Sequence, residues 1–394
     1  MHIPMSSPDL TDVEVTAVNE VLQSPMLSIG PRIKAFEQAF GAYNGTRHAV
    51  GVNSGTSGLH LCMIAAEVQE NDFVITPSFS FIAAANSILY ERAIPIFIDV
   101  DPATNNVDPA LVAEATADLM HGGSSAARWL PPAIRDQQAR LGRLKALMPV
   151  HAFGQPADMD SLCTTAQAYN LAMIEDACEA IGATYKGRRA GTFGDAAVFA
   201  FYPNKQMTTG EGGMIVTDRE DWSHLFISLR NQGRDIFDAW LNHSRLGYNY
   251  RLDEMSAALG IAQLQRIEEL LTKRERVAQW YNERLANVEL IERPHIALAT
   301  TRMSWFVYVV RVKPPAQRDE VLHRLSESGI PRRPYFTPIH LQPFYRKQFG
   351  YERGCLPVTE QLGDVSLALP FSSIMTEEQV DHVCGRLREI LRTV

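Results

Sequence analysis

The stretch AVGVNSGTSGLHLCMIAAE, residues 49–67, decides the fold class. An apolar run ends at Val52, Gly55 permits a tight turn, and a helical pattern begins near Thr56. The same strand, loop and helix rhythm fills the first two-thirds of the chain. The runs FVIT, IPIFID, ALMPV and LAMIED are each separated by segments long enough to be helices. None alternates cleanly. Uninterrupted apolar strands joined by helical crossovers predict an α/β fold with a mostly parallel sheet covered on both faces. In such sheets ligands sit beyond the carboxyl ends of the strands.

The texture changes near residue 252. Asp253 is a candidate N-cap for a long helix carrying Leu264, Ile267, Leu271, Val277, Tyr281 and Leu285 at helical spacing. A strand, WFVYVVRV (305–312), a helix ended by Gly329 and an amphipathic helix from residue 376 follow. The expected organisation is a large domain over 1–264 and a smaller α+β domain over 265–394. Residues 120–145 read as an insertion before the strand ALMPV.

With 37 Lys plus Arg against 45 Asp plus Glu, the chain carries a formal charge of −8 and a pI near 5.8. A protein that binds nucleic acid by neutralising phosphates shows a basic excess, which is missing here. Five scattered cysteines without a Cys-x-x-Cys pair indicate neither a zinc ribbon nor a disulfide framework, and fit reduced thiols in the cytoplasm. The first residues lack a basic stretch followed by an apolar one, and no apolar run approaches ~18 residues, so neither secretion nor a membrane span is expected.

Three pieces carry chemistry. First, a helix N-terminus after Val52 favours a phosphate, with Thr56 and Ser57 as hydroxyl donors; a simple strand-to-helix cap explains the same residues. Second, the strand LAMIED runs out into Glu175 and Asp176 at the ligand-bearing edge. A carboxylate there can cap a helix, bind a metal or pair with a cation. With the DxD-like IDVDP (98–102) metal binding has to be weighed, but the His and Asp spacing is not that of a ligand pair, and no metal is expected. Third, FAFYPNKQMTTGEGGMIVT (199–217) sets Lys205 between an aromatic strand and a glycine turn. A desolvated lysine is a nucleophilic amine able to form a Schiff base. A phosphate seat, a carboxylate and such a lysine together are what pyridoxal 5′-phosphate requires, with Asp176 facing the ring nitrogen. An aromatic residue of TPSFSFIAAAN (76–86) would cover the ring.

Through these residues and through the blocks LQSPMLSIGPRIKAFEQAFGAYNGTRHAVGVNSGTSGLHL, PVHAFGQPADMD, IEDACEAIGATYKGRRAGTFGDAAVFAFYPNKQMTTGEGGM, GYNYRLDEMSAALGIAQLQRIEELL and TPIHLQPFY, the chain resembles the DegT/DnrJ/EryC1/StrS sugar aminotransferases. The resemblance spans nearly the whole chain and implies fold type I, the aspartate aminotransferase-like fold. It implies that Lys205 forms the Schiff base, Asp176 bonds the ring nitrogen, Thr56 and Ser57 hold the phosphate, and Phe81 stacks on the ring. Glu179 falls near the phenolic oxygen, and Glu179→Gln is expected to shift the pH dependence of the cofactor's spectrum. Ala200 stands where many members have a serine. Asn249 falls where family members reach a neighbour's phosphate, implying a homodimer with shared active sites.

The implied reaction is ping-pong transfer of an amino group, with L-glutamate as donor, to a keto group of a nucleotide-linked deoxysugar, tilted toward a 4-keto-6-deoxyhexose. Candidate cations for the diphosphate are Arg32, Lys34, Arg234, Arg332 and Arg333, each also readable as a solvated surface charge. His151 and His340 are candidates for facing the sugar, with a structural role the competing reading. A cyclitol ketone is an alternative acceptor. A related dehydratase would have histidine in place of Lys205, and a regulatory relative would have no need of both Lys205 and Asp176.

Overall fold

The computed structural model describes residues 1–135, 141–235 and 242–393. Seven strands form the central sheet: β1 (His48–Val52), β2 (Phe73–Pro77), β3 (Ile94–Ile98), β4 (Leu144–Leu147), β5 (Ala172–Asp176), β6 (Ala196–Ala200) and β7 (Gly213–Thr217). Their order is β1-β7-β6-β5-β4-β2-β3. All neighbours are parallel except β7, which runs antiparallel to both β1 and β6. Every residue of β2, β3 and β7 is buried, which is why these strands read as continuous apolar runs. Apolar cores on the two faces include Val52, Leu59, Val198 and Ile215, and Phe36, Phe40, Phe199 and Met214.

The strand ALMPV stops at Leu147 because Pro149 has no N–H to give the ladder. Beyond it Val150 makes only an isolated bridge with Asp176. In the segment expected as an insertion, helices cover Pro109–His121 and Gly123–Ala127, while 136–140 lie outside the described residues.

The long helix expected from Asp253 is two helices, Glu254–Gln265 and Ile267–Arg284. Asp253 does cap the first, accepting from Ser256 N. The break falls at Arg266 (φ −102°, ψ 5°), whose guanidinium is engaged by Asp9, Glu14 and Glu269. After it, Ile291–Glu292, Tyr308–Val312 and Ser366–Leu369 form an antiparallel sheet. Helices Ile267–Arg284, Arg318–Glu327 and Glu377–Leu391 close a separate apolar core over it, with Tyr281, Tyr308 and Leu387 fully buried. The expected strand from Trp305 begins only at Tyr308. Trp305 takes the left-handed conformation at φ 50°, and residues 305–307 form a loop whose Phe306 and Val307 join an apolar cluster with Phe79, Val100 and Phe153. No described helix is long and apolar enough to cross a membrane.

Candidate active site

At the carboxyl end of β5 the sheet delivers Asp176, 6% exposed, with its Oδ1 accepting from Cys178 N at 3.1 Å. Burial raises its pKa above the ordinary aspartate value, against the lowering effects of the Cys178 contacts and the Lys205 charge. Glu179, on the turn that follows, is also buried and also raised by desolvation, with Lys205 the main opposing influence. Its Oε2 accepts from Phe153 N at 2.9 Å, and its Oε1 lies 3.6 Å from Lys205 Nζ.

Lys205 sits in the turn between β6 and β7. Phe201 N donates to Gly212 O and Thr209 N to Phe201 O, closing the loop that carries it. Its ammonium lies 3.8 Å from the ring centroid of Phe306, a cation–π seat supplied by the 305–307 loop. Lys205 is mostly buried, and these contacts aim it into a cavity of about 410 Å³.

That cavity is lined by Asp176, Glu179, Thr56, Phe81, Tyr335 and Glu211 among others. The helix Gly55–Ala65 starts at its wall, and the first-turn N–H groups of a helix lack intrahelical partners. Ser54, not foreseen as a site residue, is the N-cap and accepts from Ser57 N at 3.1 Å. Gly55 and Ala200 touch here: a Cβ on Gly55 would stand 2.8 Å from that of Ala200.

The described residues suit pyridoxal 5′-phosphate. Beyond the Cys178 contacts no described donor reaches Asp176, so a positive ring nitrogen would supply what its buried carboxyl lacks. Lys205 offers the amine, the helix N-terminus the phosphate seat, and Phe81, 62% exposed at the cavity, a ring face. Three lining carboxylates, Asp176, Glu179 and Glu211, face one lining ammonium, Lys205.

Not every expected residue meets at the cavity. Thr56 lines it, whereas the Ser57 hydroxyl turns away to donate to Asn53 Oδ1 at 2.7 Å. Asn249 is exposed and bridges Asn231 outside the cavity wall. Arg234 is half-buried in a bridge with His243, beside residues 236–241, which lie outside the described residues. Arg32 pairs with Glu20, and Arg332 donates to Leu322 O; neither lines the cavity, nor do Lys34 and Arg333.

Neither histidine lines the cavity. His151 is fully buried, with Nδ1 accepting from Ala157 N at 3.1 Å and Nε2 held 3.0 Å from Glu175 Oε2. His340 is also fully buried, set between Ser78 Oγ (2.8 Å) and Glu360 Oε1 (3.1 Å), and burial lowers its pKa. With both ring nitrogens engaged within the protein, the contacts of each are those of a structural histidine. The IDVDP carboxylates are likewise spent: Asp99 accepts from Val358 N and Thr359 N, Asp101 from Ala103 N and Thr104 N.

The model of the DegT/DnrJ/EryC1/StrS aminotransferase family matches residues 8–388. The GDP-perosamine synthase of Caulobacter vibrioides is 38% identical over 394 residues, covering 99% of this chain and 98% of that protein. The GDP-perosamine synthase of Escherichia coli O157:H7 is 32% identical over 389 residues, covering 98% of each. Among solved structures, S. venezuelae DesV matches with a TM-score of 0.86 at 32% identity, covering 100% of this chain and 99% of that one. A DegT DnrJ EryC1 StrS aminotransferase from Brucella abortus matches with a TM-score of 0.84 at 28% identity, covering 96% and 95%.

Proposed function

Because the chain belongs to the DegT/DnrJ/EryC1/StrS aminotransferase family, whose members depend on pyridoxal 5′-phosphate, we propose that it aminates a nucleotide-linked keto deoxysugar, with L-glutamate as the donor. The observation that carries this is the convergence of Lys205 and buried Asp176 on one cavity at the carboxyl edge of the sheet. The two GDP-perosamine synthases among the relatives favour a GDP-linked 4-keto-6-deoxyhexose as acceptor.

Bound pyridoxal phosphate supplies an electron sink for the pair left when a C–H beside nitrogen loses its proton. Lys205 Nζ is the group that takes that proton from the donor's α-carbon, and it works in the reverse direction on the sugar half-reaction. Asp176, ionised against a positive ring nitrogen, would keep that nitrogen protonated. Phe81 and Phe306 bound the reacting space with apolar surface and hold water off Lys205. Glu179, 3.6 Å from Lys205 Nζ, steadies the ammonium whenever it carries the proton.

Among the described residues Lys205 is the one cation lining the cavity, against three carboxylates, which leaves a diphosphate short of partners and favours a homodimer in which a second copy completes the site. The exposed Asn249, with Arg234 on the same segment, is suited to that role. The test is the absorbance of the purified protein with pyridoxal phosphate, followed through addition of L-glutamate and then a panel of keto-sugar nucleotides. A lysine-bound cofactor band that glutamate converts, and that Lys205→Ala does not form, supports the reading. A band that glutamate leaves untouched removes glutamate as donor, and no band removes the reading of Lys205.

A further inference from the structure

Arg274, on the helix Ile267–Arg284, is 1% exposed, and no described carboxylate hydrogen-bonds to it. Burial pulls its guanidinium down to about 10, so it stays charged at neutral pH, with Asp9 acting on it only through space. A buried, unpaired cation is costly unless dipoles replace its water. Here four carbonyls do so, and they belong to two segments of the active site. One arm donates to Trp305 O at 3.3 Å and Phe306 O at 3.1 Å, the other to Asn204 O at 3.3 Å and Lys205 O at 2.7 Å.

These segments are far apart in sequence and come from different sheets. One bears the amine and the other bears the ring on which that amine rests. Trp305 also sits at φ 50°, a conformation a bulky residue keeps only when its surroundings hold it. Gln206 adds a second tie, donating to Ser304 Oγ at 2.7 Å and Glu179 O at 2.5 Å. The two terminal nitrogens of a planar guanidinium suit this four-carbonyl arrangement, with Nε left without a partner among the described residues, and an ammonium cannot reproduce it.

We propose that Arg274 is a positioning residue for Lys205: its guanidinium joins the Lys205 turn to the Phe306 loop and so fixes where the amine stands against its aromatic wall. The inference rests on the reading of Lys205 as the reacting amine, so its test begins without cofactor.

Cofactor-free wild type, Arg274→Lys and Arg274→Met are trace-labelled with acetic anhydride, and labelling of Lys205 is compared by peptide mass spectrometry with that of exposed Lys34. Circular dichroism confirms that each protein is folded. The Lys205:Lys34 ratio is expected to rise several-fold in Arg274→Lys and further in Arg274→Met as the amine leaves its seat. In the loaded enzyme kcat is expected to fall about tenfold with KM for glutamate within about twofold, since misplacement of a reacting group acts on the chemical step. A folded Arg274→Lys with the wild-type labelling ratio overturns the proposal, including where Arg274→Met does not fold. A raised ratio in a chain that performs no transamination sustains the clamp and sinks the aminotransferase reading instead.

Discussion

Gly213 opens β7, and its missing side chain is what lets the strand approach the turn before the helix Gly55–Ala65. A Cβ built there would stand 2.7 Å from Ser54 C and 2.8 Å from Gly55 N and Ser54 O. All three are backbone atoms, so no side chain can rotate out of the way. To regain an ordinary contact near 3.4 Å, strand and turn must separate by about 0.7 Å. Gly213→Ala should therefore cost about 1–3 kcal/mol, the usual range for forcing extra volume into a packed site. The displaced atoms are the helix cap itself, so the phosphate seat moves with them. An error of that size at a positioned group corresponds to a loss of order tenfold or more, here in pyridoxal phosphate affinity. Gly210 is the control. Its φ is +81° but a Cβ there meets open space, so Gly210→Ala should lose about 1 kcal/mol to backbone strain and bind cofactor normally. Urea unfolding and cofactor titration by absorbance read both quantities. If Gly213→Ala matches wild type in midpoint and affinity, the closeness of β7 to the phosphate seat is not what makes the site.

Asp176→Asn keeps the shape but not the charge, and single-turnover reaction with L-glutamate should slow by about 10²-fold or more; an unchanged rate would detach Asp176 from the chemistry. Glu179 has a folded-state pKa raised by burial, so its protonated form is favoured by folding. That contribution is full below the ordinary glutamate value and is lost as pH rises through the raised one. Cofactor-free wild type should thus lose stability relative to Glu179→Gln over this window, and parallel urea midpoints across pH would contradict it. His340 has the opposite sign: its pKa is lowered, so its contribution is full above the ordinary histidine value and declines as pH falls below it. His340→Ala should cost about 1–3 kcal/mol by stranding Ser78 and Glu360, while kcat per folded molecule stays within about twofold. A large kcat loss in a stable His340→Ala would restore it to the substrate site.

What could be read in the sequence was what short range encodes. β2 and β3 are buried on both faces, so their residues had no reason to alternate, and the parallel sheet followed from that. Lys205 and Asp176 were visible because strand ends mark the ligand edge, and Gly210 because a left-handed turn needs it. The histidines were ambiguous for a physical reason: a histidine at a strand end looks the same whether its nitrogens face a ligand or, as with His151 and Glu175, a buried carboxylate. Phe306 was hidden inside an apolar run that reads as strand. Only the left-handed Trp305 shows that the run turns, and nothing local predicts that turn, because its carbonyls are held by a guanidinium on a helix some thirty residues earlier. Arg274 itself occupies a position in TKRERVAQW where a charged residue reads as solvated helix surface. In the fold it is met by carbonyls of two segments remote in sequence, 204–205 and 305–306, a long-range event that no pattern of spacing carries. The residues proposed to do chemistry here were therefore legible, while those proposed to place them were not, since placement is a property of which segments meet.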